Sequence, residues 1–341
     1  MKRTFPSVRV FLVPFLLLFL LLAGCQGSRN EVVVYTSVDQ VFSEPILKDF
    51  ERETGIHVNA VFDTEETKST GVLNRLLAEK DHPQCDVFWS GDPVRTLVLK
   101  REGLTAPYFS PEARDIPAVY KDPEGHWTGF SARARVLLYN TDRLQGEGAP
   151  ASIFDLTKAR YRGQVALANP LFGTTTFHMA ALFTVLGDER AKAWLDSLRT
   201  NGLVLATSNG DVRKRVVQGE VACGITDTDD AFEAMKEGSP VRIVFPDQDG
   251  IGTLIIPNTV NLIRGCPHPE NGKKLIDYLL RRSTEAKLAV SCAQMPLHKG
   301  VEVPTDVPSL DSIVPMKIDY DATARKLLEI QNFLKEWVRA Q

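Results

Sequence analysis

Residues 31–62 read EVVVYTSVDQVFSEPILKDFERETGIHVNAVF. The first seven, EVVVYTS, form an apolar run that reads as a buried strand. In SEPILKDFERETG, Ser43 suits a helix N-cap, Pro45 sits in the first turn, and Ile46, Leu47 and Phe50 share one face. Gly55 ends that helix, and IHVNAVF (56–62) is a second apolar strand. Strand, helix and strand with joins this short make a βαβ unit, which requires a parallel pair and places the chain in the α/β class.

The pattern continues outward from this unit. GVLNRLLAEK and PVRTLVLKREGL read as helices around the strand CDVFWS (85–90). RARVLLYNT (133–141) is a long strand, and GQVALAN (163–169) leads into the helix GTTTFHMAALFTVLG. GLVLATS and EVACGIT flank a helical DVRKRVVQG; VRIVFPD and the long GTLIIPNTVNLI (252–263) follow, and the tail is helical. About ten strands thus alternate with helices. No GxGxxG follows the first strand, and GxxxxGK[ST], HExxH and GxSxG are absent. Ligands of open α/β sheets bind beyond the carboxyl ends of strands, which directs attention to TSVDQ, SGDP, NPLFGTTT and TDTDD.

A chain of 341 residues has room for two cores. Its net charge of −3, with no Lys/Arg block, argues against nucleic acid as a partner. Lys2, Arg3 and Arg9 precede an apolar run from Val10 to Leu22, the pattern of a signal peptide over 1–24. The run ends in LLAGC, which resembles the bacterial lipobox. That resemblance implies cleavage before Cys25, its lipidation, and a polar tether over 25–30. The expectation is an exported protein held to a membrane surface by lipid. Four cysteines remain. Cys85 and Cys223, in apolar strands, read as separate buried thiols. Cys266 and Cys292 flank two short helices that fold back, and a bridge between them is one of three possible connectivities.

The stretches VVVYTSVDQVFSEPILKDFERETGIHV, RLLAEKDHPQCDVFWSGDP, WTGFSARARVLLYNTD, VVQGEVACGITDTDDA and HPENGKKLIDYLL carry a resemblance running from about residue 31 to about 300. The chain resembles the substrate-binding proteins of ABC importers, in the extracellular solute-binding group that includes ferric-iron binders. The resemblance implies a periplasmic-binding-protein-like clamshell of two lobes, each a mixed sheet flanked by helices, closing on a ligand. The lobes would comprise 31–131 plus 253–305, and 132–252 plus 306–341. The hinge crossings would lie at the start of RARVLLYN and in GTLIIPNTVNLI. The implied partner is an ABC permease, the implied state a monomer, and the implied role binding without covalent chemistry. A sensor subunit of the same fold is compatible with the same sequence.

Ferric members of the group use a His after the first strand, a Glu after the third, and two consecutive Tyr. Those positions fall here on Asp39, on Gly91 beside Asp92, and on Asp229 and Asp230, so none of the residue types is kept.

Three readings compete for Asp227, Asp229 and Asp230. Asp230 and Glu233 have capping-box spacing. Three carboxylates at a strand end can hold a hard cation, with Asp229 and Asp230 as metal ligands, or grip an ammonium group or hydroxyls. A strand followed by DxD also suits a phosphohydrolase with Asp227 as nucleophile. Thr174, Thr175 and Thr176 open a helix, where free N–H groups favour an anion. One of Arg133 and Arg135 is expected to face the cleft. Ser37, Lys68 and Asn209 complete the expected ligand set. Trp89 reads as core, and His178 as a helix-packed histidine. The expected cargo is a metal ion, a metal–anion complex, or a small phosphorylated or zwitterionic solute.

Overall fold

A computed structural model describes residue 1 and residues 30–63, 71–144, 148–305 and 307–341. The expected signal peptide, tether, Cys25 and Lys68 lie outside these residues. The opening βαβ unit forms as read: β1 (Glu31–Thr36) pairs in parallel with β2 (His57–Phe62) across helix α1 (Gln40–Thr54). The helix starts earlier than Ser43. Asp39 is its N-cap, because the Asp39 carbonyl already accepts from the Phe42 and Ser43 amides. The Ser43 hydroxyl instead donates to the Val38 and Asp39 carbonyls. Gly55 closes the helix in the left-handed region at φ 67°, as a C-terminal glycine should.

The remaining strands are β3 (Val87–Ser90), β4 (Thr105–Ala106), β5 (Thr128–Asn140), β6 (Val165–Ala168), β7 (Val204–Ala206), β8 (Cys223–Asp227), β9 (Val241–Val244) and β10 (Ile255–Ile263). They run in the order β2-β1-β3-β10-β5-β8-β6-β7, with β4 on β10 and β9 on β5. Each half mixes parallel and antiparallel pairs. Strand β5 joins the halves: Thr128 to Ala134 pair with β10, whereas Arg135 to Tyr139 pair with β8. The change of partner falls between Ala134 and Arg135.

The crossing is irregular at Ser131. Two steps along β5 oppose one step of β10 between Pro257 and Asn258, and Ser131 takes φ 41°. This is a β-bulge, which bends and twists its strand. The buried Glu285 carboxylate holds it, accepting from the amides of Ser131 (2.8 Å), Leu297 (2.9 Å) and His298 (3.0 Å) and from His298 Nδ1 (2.8 Å).

Helices cover both halves. They are α2 (Gly71–Ala78), α3 (Pro93–Arg101), α4 (Gly173–Leu186), α5 (Asp188–Thr200), α6 (Asn209–Val217), α7 (Thr228–Lys236), α8 (Pro269–Leu279), α9 (Arg282–Cys292), α10 (Tyr320–Glu329) and α11 (Gln331–Arg339). The fold is thus a two-lobed α/β clamshell, each lobe a mixed sheet flanked by helices. C-terminal α10 packs on α4 and also on α3, with the Tyr320 ring against Trp127 (5.8 Å between centroids) and Phe177 (6.4 Å). Trp89 and Trp127 are both core residues. No helix among the described residues is long and apolar enough to cross a membrane.

The cysteine expectation divides. Cys85 and Cys223 are buried free thiols, as read. Cys266 and Cys292 are free as well, so the expected bridge is not formed. The reason is placement. Burial, and then the Asp86 carboxylate beside it, push the Cys266 thiol up to about 12; Asp86 stands at the entry to β3. Cys292 donates to the Leu288 carbonyl within α9, and its charged neighbours are Asp229, at the exit of β8, and Arg133.

Candidate functional site

Six loops meet at one cleft of about 580 Å³, each leaving the carboxyl end of a strand. Ser37 to Phe42 follow β1, Asp63 follows β2 and Gly91 follows β3. Ala168 to Thr175 leave β6, Thr207 to Gly210 leave β7, and Asp227, Asp229 and Asp230 leave β8. This is where open α/β sheets bind ligands. Arg133 enters from the side, on the crossing strand β5.

The floor on the β8 side is a dense polar network around Arg135, whose Nε is buried without a partner. Arg135, fully buried, sends Nη1 to Asp227 Oδ1 (2.7 Å), Asn209 Oδ1 (3.0 Å) and Thr174 Oγ1 (3.2 Å). Its Nη2 reaches Thr175 Oγ1 (3.3 Å) and the Ile225 carbonyl (3.4 Å). The Asp227 Oδ2 accepts from the Thr174 hydroxyl (2.7 Å) and from Asn209 Nδ2 (3.1 Å). Burial pushes the Asp227 carboxyl up. The guanidiniums of Arg135 and Arg133 and the Thr174 hydroxyl outweigh that and hold it below the ordinary carboxylate range.

Arg133 spans the cleft floor. Its Nη1 lies 3.1 Å from Asp229 Oδ2 and 3.7 Å from Asp227 Oδ2, and its Nη2 donates to the Gly91 carbonyl at 2.7 Å. Burial disfavours its charge, but Asp229, Asp227 and Asp39 outweigh this and hold the guanidinium above its ordinary value. Oxygens of Asp227, Asp229 and Asp230 lie within 4.8 Å of one another. At the rim, Arg213 pairs with Glu233, while Val41 and Phe172 expose apolar surface.

Most of the residues picked from sequence meet here: Ser37, Asp39, Arg133, Thr174, Thr175, Asn209, Asp227, Asp229 and Asp230 all line the cleft. Two do not. Asp92 is buried as the N-cap of α3, accepting from the Val94 (2.9 Å) and Arg95 (3.3 Å) amides and pairing with Arg95 Nη1 (3.1 Å). The proline at N1 and two free amides make it a cap, so it points into α3. Thr176 is buried one position further into α4, and its hydroxyl meets no partner.

The capping box does not form either. The N-cap of α7 is Asp227, without a side-chain cap bond; Asp230 accepts instead from the Thr226 hydroxyl (3.1 Å), and Glu233 turns to Arg213. The nucleophile reading of Asp227 is not favoured, since both its oxygens are held by Arg135, Thr174 and Asn209. Sequence reading missed Gln40, Val41, Phe42, Asp63, Asn169, Phe172 and Arg213 as lining residues. The strand-end rule points to most of their loops; Arg213 carries no local signal. His178 is packed and neutral, its pKa lowered to about 3 by burial and by the Arg135 charge.

Among the described residues, four helices present their N-termini to this cleft: α1, α4, α6 and α7. Such ends carry unpaired N–H groups and partial positive charge. The first turn of α4 has no side-chain cap bond, and Gly173 opens it at φ 56° with nothing within 4 Å of where a Cβ would stand. The cleft therefore offers donors from helix ends beside carboxylates.

Two lobes on a shared strand, with a polar cleft between them, are the architecture of an extracytoplasmic receptor that captures small solutes. The chain belongs to the family described as bacterial extracellular solute-binding proteins, whose profile matches residues 85–320. This is the group named from the sequence. The chain is 26% identical to iron uptake protein A1 of Synechocystis over 316 residues, 86% of each chain. It is 28% identical to a proposed 2-aminoethylphosphonate-binding periplasmic protein of Salmonella typhimurium over 93% of this chain and 90% of that one. Iron-bound HitA from Pseudomonas aeruginosa superposes with a TM-score of 0.80 at 21% identity, covering 89% of this chain and 99% of HitA. AfuA from Actinobacillus pleuropneumoniae, with fructose-6-phosphate bound, gives 0.79 at 21% identity, covering 91% and 99%.

Proposed function

We propose that this receptor delivers a small zwitterionic or phosphorylated solute, of the aminoalkylphosphonate or amine-bearing phosphate-ester class, to an ABC permease. One observation carries the reading: opposite kinds of anchor stand in one cleft. The open first turn of α4, with the Thr174 and Thr175 hydroxyls, suits an oxyanion. Asp227, Asp229 and Asp230, with Asp39 on the β1 loop, suit an ammonium group or hydroxyls. Ser37, Asn209, Arg133 and Lys68 complete the proposed ligand set. Relatives whose names specify phosphonate or sugar phosphate add support.

The lobes proposed are 31–131 plus 253–305 and 132–252 plus 306–341, closing about β5 and the segment before β10. Cargo stabilises the closed form, which the permease recognises. The chain acts without covalent chemistry, as a monomer. A lipid on Cys25 tethers it after removal of residues 1–24. A second reading, a hard metal ion with its accompanying anion, is favoured by the carboxylate trio and by the iron-binding relatives.

Thermal melting of residues 26–341 tests the choice. Aminoalkylphosphonates and phosphorylated amines form one arm, and Fe(III)–citrate the other. A ligand at 100 times its Kd adds about 2.7 kcal/mol, which a melting curve resolves. Stabilisation by the first arm that is lost in Thr174→Val supports the proposal. Stabilisation by Fe(III)–citrate alone sinks it.

A further inference from the structure

We infer that the cargo carries a planar ring, and that Phe172, with Val41 in the same cleft, selects it. The inference deepens the cargo reading above and rests on an oxyanion of the cargo meeting the first turn of α4.

The loop NPLFG (169–173) sends its two large apolar side chains in different directions. Leu171 packs on core residues, whereas Phe172 is 39% exposed and lines the cleft. The backbone that carries this ring is held in place. Asn169 Oδ1 accepts from the Leu171 amide (3.0 Å), the Phe172 amide donates to the Asn169 carbonyl (3.2 Å), and the Phe172 carbonyl accepts from the Thr176 amide (3.2 Å). Among the described residues Phe172 makes no ring–ring or cation–ring contact. A ring left in water at the edge of a cleft is apolar surface that a ligand gains by covering.

Its place in the chain sets what it touches. Phe172 is the N-cap of α4, and Gly173 follows with open space where a Cβ would stand. A phosphate or phosphonate received by the free amides of that turn has its substituent beside the Phe172 ring. Val41, 70% exposed in the first turn of α1, brings apolar surface from the other half of the sheet. Phe42, next to it, is half-buried against core residues and also lines the cleft. The cleft volume of about 580 Å³ lies within the ~300–1,000 Å³ that holds drug-sized ligands. A two-carbon aminophosphonate is too small to fill it or to cover both apolar walls. A planar ring does so, with one face for Phe172 and the other for Val41. The cargo class is then an aromatic phosphonate or phosphate ester that also bears an amine. A stack of this kind adds about two- to tenfold in affinity beyond the area it buries.

Isothermal titration calorimetry on residues 26–341 tests this with two probes that share their charged ends. One is 2-aminoethylphosphonate; the other is 4-(aminomethyl)benzylphosphonate, which places a ring between those ends. The proteins are the wild type, Phe172→Ala, Phe172→Tyr and Val41→Ser. The wild type should bind the ring-bearing probe about tenfold more tightly. That preference should disappear in Phe172→Ala, shrink in Val41→Ser, and persist in Phe172→Tyr, which keeps the ring. If Phe172→Ala does not fold by circular dichroism, Phe172→Leu takes its place, and its preference should shrink because bulk remains without a π face. Equal affinity for the two probes in the wild type, or a preference that survives in a folded Phe172→Ala, overturns the inference. An equal loss for both probes in that variant also overturns it, and makes Phe172 a contact of lobe closure alone. Failure of both probes to bind removes the phosphonate cargo and the ring with it. Binding of 2-aminoethylphosphonate without a ring preference removes the ring alone.

Discussion

Replacing Arg135 by methionine tests whether the floor of the cleft is held by charge. The side chain is fully buried, and its closest contact is Asp227 Oδ1 at 2.7 Å. Methionine keeps much of the volume and removes the charge and every donor. Asp227 would keep the Thr174 and Asn209 bonds but lose its principal counter-ion. Breaking a buried pair by removing one partner costs about 3–5 kcal/mol, because the other charge is left uncompensated. No discount for solvent applies at this depth.

The sign of the pH dependence follows. In the wild type the folded pKa of Asp227 is depressed, so its contribution is present above the unfolded carboxylate value and is lost as pH falls through the folded value. In the variant the carboxyl is buried with its main partner gone, so its pKa rises above the ordinary value. The variant is then penalised at neutral pH and relieved on acidification, when Asp227 takes up a proton. Urea unfolding of both proteins between pH 4 and 8 should show a gap that is widest near neutrality and narrows toward acid. Arg135→Met/Asp227→Asn should recover part of the loss, since it removes both charges together. A gap below about 1 kcal/mol at pH 7, or one that does not change with pH, would refute the account.

Three further outcomes are expected. Glu285→Gln presents an amide where the carboxylate now accepts from four donors, so at least one backbone amide stays unpaired and stability falls by about 1–3 kcal/mol in denaturant unfolding. Burial lowers the His298 pKa, but its bonds to Glu285 and the Glu112 carbonyl outweigh this and raise it. Wild-type stability should therefore carry a component lost as pH rises through that raised value, and Glu285→Gln should lack it. Thr174→Val removes the hydroxyl joining Asp227 to Asn209, and should weaken aminoethylphosphonate binding by about tenfold in calorimetry. Residues 26–341, unfolded without reductant, should show four titratable thiols and, when folded, little reaction, because burial raises Cys85, Cys223, Cys266 and Cys292. Two missing thiols, mapped to Cys266 and Cys292 by peptide mass, would restore the bridge between them.

The α/β class was legible because apolar runs and helix signals alternate at short spacing, and the strand-end rule points to the loops that line the cleft. Side-chain direction was not legible. Asp92 and Asp229 look alike in sequence, each acid just past a strand. Asp92 precedes Pro93, and the free amides of α3 turn its carboxylate into the helix. Asp229 lies within the first turn of α7, where Arg133 reaches it from another strand. That contact spans 96 residues of sequence, and no local pattern encodes it. The capping box failed for a related reason: Arg213, from α6, competes for Glu233.

The same long-range contact lies beside the irregular part of β5. Arg133 and Arg135 are two residues apart on β5, so they share one face of the strand, and the exchange of β10 for β8 as partner falls between them. Arg133 holds Gly91 of the β3 loop together with Asp229 of the β8 loop, whereas Arg135 is bonded only to the β8 side of the floor. An anion arriving at the first turn of α4 meets the Thr174 and Thr175 hydroxyls that Arg135 already orients. With the proposed cargo, an ammonium would compete with Arg133 for Asp229, on the one side chain of this pair that also holds the β3 loop. The Ser131 bulge lies two residues further back on the same strand. Arg133 therefore sits next to the point where the strand is already bent, on the segment proposed above as a hinge.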